Sequence, residues 1–322
     1  MQSKGIGRGF ISSRIGRRTI LCRTGLCRTS LYRTLLAGVV LFFTSGLWVS
    51  AQTPADTGPD SPYRTQRSEP FRIIGNIYYV GDTLHLTTYL ITTPEGHILI
   101  DTGYEESVPG IRENIEKLGF QVKDVKLMIS SHAHHDHIGG HALMKEVTGA
   151  TVLATAADAE VIETGGKADF RDTGLWKPAK VDRTIQDGEP VTLGGVSLMP
   201  HLTPGHTKGC TTWTMEVEEG GRKYNVVFVC GVRVNTGLPL VGNPKYPNSV
   251  EDFTQSFATL KSLPCDVFLG AHGYWFGIQE KLKRREQGAG VNPFIDPEGY
   301  RAYIANYERA FLDQLSAERG TR

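Results

Sequence analysis

The chain has 322 residues, 39% of them hydrophobic and 21% charged, enough for one large domain or two small ones with a sizeable buried core. Its formal net charge is +1, but this hides a division: eight basic residues and no acidic ones fall within the first 51 positions, which leaves 27 basic against 34 acidic residues beyond them, net −7. That acidic balance argues against a nucleic-acid partner. Of five cysteines only Cys210, Cys230 and Cys265 lie beyond the basic segment, too few for a disulfide scaffold; one bridge at most can form and none is required.

Residues 1–51 read as a signal peptide: basic side chains from Lys4 to Arg33 precede an apolar run, Leu35 to Trp48, and Val49-Ser50-Ala51 supplies small residues for cleavage after Ala51. The run is shorter than the ~20 residues a membrane anchor needs. The expected location is therefore periplasmic or secreted, with no stable membrane association after cleavage. Residues 52–70, rich in Pro, Asp, Ser and Thr, read as a flexible arm, and 71–322 as one folded domain.

Short β-rich runs are expected at Ile73 to Val80, Thr87 to Thr93 and His97 to Ile100, with Pro94-Glu95-Gly96 as a turn. Val108 to Leu118 has helical spacing in Ile111, Ile115 and Leu118, and Val125 to Ile129 reads as a buried strand. A helix is expected over His137 to Val147, a strand over Thr151 to Ala154 and a helix over Asp158 to Glu163, ended by Gly165-Gly166. The second half repeats the pattern, with strands near Val191 to Leu193, Val196 to Pro200, Cys210 to Val217, Tyr224 to Val229 and Val267 to Gly270. Helices are expected at Val250 to Leu260 and Pro297 to Leu315. So many strands across both halves point to two sheets with helices outside, an α/β architecture.

The chemistry concentrates after the strand that ends at Ile129. His132, His134, Asp136 and His137 put four metal-ligand types within six positions. His132 and His134 share parity in an extended segment and converge on one ion, while Asp136 and His137, at the start of a helix, reach a second. Zinc takes nitrogen and carboxylate oxygen at about 2.0–2.1 Å and keeps one position open for water in catalytic sites. Each ion then wants three protein ligands, and His206 and His272, both flanked by glycine, supply the missing two. The sets are His132, His134, His206 and Asp136, His137, His272. His85, His97, His135, His141 and His201 lack a defined partner and are assigned no catalytic role.

The motif His-x-His-x-Asp-His, with the Pro204-Gly205-His206 and Gly270-Ala271-His272 loops, resembles the metallo-β-lactamase superfamily from about Phe71 onward. His132 to Gly140, Leu202 to Thr214 and Cys265 to His272 resemble its third lactamase subclass. The resemblance implies a four-layer αββα sandwich with a two-zinc site at the edge of the two sheets. It further implies hydrolysis of the β-lactam amide of penicillins, cephalosporins and carbapenems by a metal-activated hydroxide in a monomer. Asp136 and His206 are the catalytic candidates. The carboxylate that bridges both metals in most other hydrolases of the superfamily is missing, since no Asp or Glu occurs between Glu219 and Glu251. Cys230 lies near that place and is read as a buried structural residue in preference to a thiolate ligand. The chain departs from the subclass at Gly231, where a serine is common, and at Val232-Arg233-Val234. Arg233, Asn235 and Trp176 are the candidate substrate contacts, Trp176 with Phe170 on an expected loop from Gly165 to Lys180. Other readings of the same residues are a lactone, ester or thioester hydrolase, or a zinc-binding protein without catalysis.

Overall fold

The computed structural model describes residues 66–171 and 174–320. The signal-peptide reading of residues 1–51 and most of the arm lie outside them. The described end of the arm is held: Ser68 N–H donates to Asp82 O at 2.8 Å and Arg67 pairs with Asp82 and Glu113.

Seven strands form the first sheet in chain order: β1 (Phe71–Ile74), β2 (Ile77–Tyr79), β3 (Tyr89–Thr93), β4 (Gly96–Ile100), β5 (Val125–Ile129), β6 (Thr151–Thr155) and β7 (Arg183–Ile185). β1 to β4 are an antiparallel meander, and β4 to β7 run parallel. The crossovers carry helices α1 (Val108–Lys117), α2 (His135–Ile138), α3 (His141–Thr148) and α4 (Ala156–Glu163). The second sheet has the order β12-β11-β10-β9-β8, from β8 (Val191–Leu193), β9 (Val196–Leu202), β10 (Thr211–Glu219), β11 (Arg222–Val229) and β12 (Val267–Gly270). β12 joins β11 in parallel and the other pairs are antiparallel. Helix α5 (Ser249–Ser262) precedes β12, and α6 (Ile278–Glu286) and α7 (Pro297–Gly320) follow it.

Alternation along the central strands explains the layers. Tyr89, Ile91, Ile98, Ile100, Ile129 and Leu153 join the core shared with the second sheet, whereas Leu90, Leu99, Met128 and Val152 pack under α1 and α3 with Ile111, Ile115 and Met144. A strand covered on both faces must be apolar at successive positions, as Leu90-Ile91 and Ile98-Leu99-Ile100 are. On the other side, Phe268 of β12 meets Tyr300 and Tyr303 of α7, and Phe253 and Phe257 of α5 meet Phe311. Two mixed sheets flanked by helices are thus the expected αββα sandwich.

The structure refines several boundaries. The run from Ile73 to Val80 is two strands, because Gly75 adopts φ +53° and turns the chain between them. The helix expected over His137 to Val147 breaks at Gly139-Gly140 into α2 and α3. β7 and α6 carry too little apolar periodicity to be found by pattern: Arg183–Ile185 buries only Ile185, and α6 only Ile278 and Lys281. Cys210 and Cys230 form a disulfide, so the one permitted bridge is made and Cys230 is buried with no thiolate to offer.

Candidate metal centre at the strand ends

The candidate ligands follow the carboxyl ends of three strands, β5 before His132, β9 before His206 and β12 before His272. Bonds between the two sheets draw these segments together. Trp213 of β10 donates its indole N–H to Ser130 O at 2.9 Å, and Thr211 N–H donates to Ser131 O at 2.8 Å. These bind the turn carrying His206 to the segment carrying His132. Likewise the Thr87 and Tyr89 hydroxyls donate to Gly270 O at 2.8 and 2.7 Å, fixing the end of β12 that delivers His272.

The side chains gather as two triplets, His132 with His134 and His206, and Asp136 with His137 and His272, the ligand atoms of each within 4.8 Å of one another. In the second, His137 Nε2 lies 3.2 Å from His272 Nε2 and 3.4 Å from Asp136 Oδ2, which is 3.6 Å from His272 Nε2. A tetrahedral ion with bonds of 2.0–2.1 Å needs ligand atoms about 3.3 Å apart. In the first triplet, His132 Nε2 is sealed from solvent and has no hydrogen-bond partner, a costly arrangement for a nitrogen that binds nothing. Both donor sets fit a divalent ion. The local conformation differs from the expected extended run: His134 N–H donates to His132 O at 3.0 Å, a tight turn that brings the two rings to 4.6 Å.

Burial acts on the charges. His132, His134 and His272 are held well below the usual imidazole range by burial and by neighbouring histidines. His206 is lowered to about 4, mainly by burial. These rings are neutral at pH 7, the form that ligates metal. Burial alone raises the Asp136 carboxyl, but His137, His272 and His134 outweigh it and hold it well below the carboxylate range. His137 is moved down by burial and, more strongly, up by Asp136 and Asp101.

Supporting groups orient the rings. Asp101, buried at the end of β4, accepts from Ser131 N–H and Oγ–H at 2.7 Å each and faces His137 Nδ1 at 3.1 Å. It adopts φ +61°, strained for any side chain though least so for Asp and Asn, and strain of this kind collects at functional sites. His206 Nδ1–H donates to Arg233 O at 2.8 Å, which turns Nε2 toward the other two ligands. Asn235 donates to His206 O at 2.7 Å, so its amide nitrogen holds the loop. Gly231 explains its own identity: a Cβ there would lie 2.1 Å from the His206 ring.

Of the other expected contacts, Arg233 is exposed. Trp176 stacks on His135 at 5.3 Å and Phe170 packs against Tyr246, so Leu175, 65% exposed, is the apolar residue that segment presents to solvent. Arg171 was not anticipated: its Nη1 lies 3.0 Å from His134 Nε2, and it senses the charge of Arg233. No motif marks it, because its neighbours in space come from other loops. The histidines left without a role do have neighbours: His141 meets Thr102, His201 meets Thr214, His97 meets Phe120, and His85 stacks on Tyr274 beside His272.

Fold and site define a metal-binding hydrolase of the two-sheet α/β sandwich class. Residues 74–219 match the family model described as the metallo-beta-lactamase superfamily. The native FEZ-1 metallo-beta-lactamase of Legionella gormanii is 43% identical, with a TM-score of 0.77 over 79% of this chain and 97% of that one. BJP-1, a subclass B3 metallo-beta-lactamase of Bradyrhizobium japonicum, is 39% identical, with a TM-score of 0.73 over 79% and 96%. A hydroxyacylglutathione hydrolase of Methylococcus capsulatus is 27% identical over 219 residues, 58% of this chain and 74% of its own length. The chain belongs to the metallo-beta-lactamase superfamily.

Proposed function

We propose that the protein hydrolyses the β-lactam amide bond with two zinc ions, one held by His132, His134 and His206 and the other by Asp136, His137 and His272. The observation that carries this reading is the 43% identity to a metallo-beta-lactamase across 97% of that enzyme, coupled to two donor triplets of the right spacing. Zinc bound in such a site supplies a nucleophile from water near neutral pH and polarises a carbonyl.

The protein's own groups do the rest. Asp136 uses Oδ2 toward His137 and His272, which leaves Oδ1 to orient the attacking water and take its proton. His206, fixed by Arg233 O and Asn235, presents a neutral Nε2 and holds the first triplet against the scissile carbonyl. Arg233 and Arg171 place two cations at one side of the centre, suited to a substrate carboxylate. Asn235 acts through the His206 loop, Trp176 backs the ligand segment through His135, and Leu175 offers an apolar rim. Penicillins, cephalosporins and carbapenems all carry the carboxylate and the strained amide that this arrangement suits. Among the described residues no helix is long and apolar enough to cross a membrane; periplasmic or secreted placement rests on the signal-peptide reading of residues 1–51 and the monomeric state on the family resemblance, and both belong to the same proposal.

Turnover of a chromogenic cephalosporin by the zinc-loaded protein tests the reading. Hydrolysis is expected to vanish with a chelator, to return with zinc, and to fall more than about 100-fold in kcat/KM in His134→Ala, since loss of a ligand exceeds the 10–100-fold typical of its supporting groups. Activity on an acylglutathione or a lactone with none on any β-lactam would move the assignment to the second class of substrate, which the relative in Methylococcus capsulatus favours.

A further inference from the structure

Asp158 is an acidic group that the chemistry above does not use. It stands in the first turn of α4, and its N–H donates to Thr155 Oγ1 at 3.3 Å. Thr-x-x-Asp at a helix start is a capping arrangement, in which the carboxyl ordinarily faces water near the positive end of the helix. Asp158 is instead 3% exposed. Its side chain lines one small cavity together with Ala133 and Thr207, and the Ala133 and Gly209 N–H groups favour its charged form. Gly209 approaches so closely that a Cβ there would lie 2.3 Å from Asp158 Oδ1. Thr155 adds a second hold, donating its hydroxyl to Gly209 O at 3.3 Å.

Ala133 sits between His132 and His134, and Thr207 follows His206. The two segments that meet at Asp158 are therefore the two that supply the first triplet, and they are some 70 residues apart in the chain. We infer that Asp158 is a positioning residue that clasps these segments together and so sets the metal affinity of the His132, His134, His206 triplet. Burial pushes its carboxyl up to about 7 against the pull of the Ala133 and Gly209 N–H groups, a load that a helix cap at the surface would not carry. A clasp of this kind explains why the carboxyl is inside, and why residue 209 has no side chain.

The inference rests on the metal reading of that triplet, and the test separates the two. The full-length protein, with Asp158→Ala, Asp158→Asn and the control Ile115→Ala on the buried face of α1, is titrated with zinc against a chelating indicator, with cobalt spectra assigning the affected site. Wild type is expected to bind two ions. Asp158→Ala should lose about 10–100-fold in affinity at the all-histidine site and less than about 3-fold at the other. Asp158→Asn, which sets an amide N–H₂ against N–H donors, should show an intermediate loss. Ile115→Ala should lower the melting temperature and leave both affinities unchanged. Unchanged affinities in Asp158→Ala, equal losses at both sites, or the same loss in Ile115→Ala would overturn the clasp alone. If the alanine variant does not fold, an unchanged affinity in Asp158→Asn does so. Wild type that takes up no zinc overturns the metal reading and the clasp with it.

Discussion

The two triplets differ in charge and in shelter. His132, His134 and His206 are 0%, 3% and 8% exposed and contribute no charge, whereas the second triplet contains a carboxylate and is more open, with the Asp136 side chain 28% exposed. An all-imidazole set leaves the full charge of a bound dication uncompensated, suited to facing a developing oxyanion, while Asp136 removes one unit at the other. The supports differ accordingly. Arg233 O and the turn at His134 hold the rings of the first triplet, beside the Asp158 clasp inferred above, while the buried carboxylate of Asp101 faces His137 of the second. Similar candidate ligands thus sit in unlike surroundings.

Breaking the carboxylate support should separate the two triplets most sharply. Asp101→Asn keeps a side chain tolerant of φ +61° but loses the charge facing His137; zinc affinity at the second triplet is expected to fall about 10–100-fold in chelator competition. The first triplet, reached only through Ser131 and His132 Nδ1 at 3.1 Å, should lose less. Equal losses would mean that the two sites are not separable.

The disulfide supports the first triplet by joining Cys210, at the end of the His206 turn, to Cys230, beside Gly231. Closing a loop of 20 residues contributes about 3 kcal/mol by restricting the unfolded chain. Replacing both cysteines by alanine should cost about that much in a urea melt of the metal-free protein, and an unchanged midpoint would remove the bridge from the account.

A pH-dependent effect lies behind the second triplet. His141 is fully buried, with Nδ1 2.8 Å from Thr102 Oγ1, and burial lowers it to about 4. The unfolded chain, with imidazole near 6.5, binds the proton more readily than the fold. Stability from this group is therefore complete above about pH 6.5 and is lost as pH falls toward 4, by at most about 3 kcal/mol. Metal-free His141→Gln should show a flatter fall in stability between pH 6.5 and 4 than wild type, and parallel curves would exclude His141 as a source of it.

Sequence alone determined what depends on neighbours in the chain. Hydrophobic alternation marks β5 and β12, and helical spacing marks α1 and α7, because each pattern repeats within a single element. The candidate ligand types and their spacing from His132 to His137 are legible for the same reason, and His206 and His272 stand out because each lies in a loop that leaves a strand; a neighbouring glycine alone also marks His97 and His141. Pattern could not reveal which residues stand behind the candidate ligands. Asp101, Asp158, Arg171 and the pairing of Cys210 with Cys230 acquire meaning only when sheet order brings segments 20 to 76 positions apart to the same strand ends. Asp101 is an ordinary aspartate after an apolar strand until β4 and β5 lie side by side and His137 turns back upon it. Tertiary structure decided these roles because burial and hydrogen bonding are properties of a place in the fold, and a residue's type says only which of them it is able to accept.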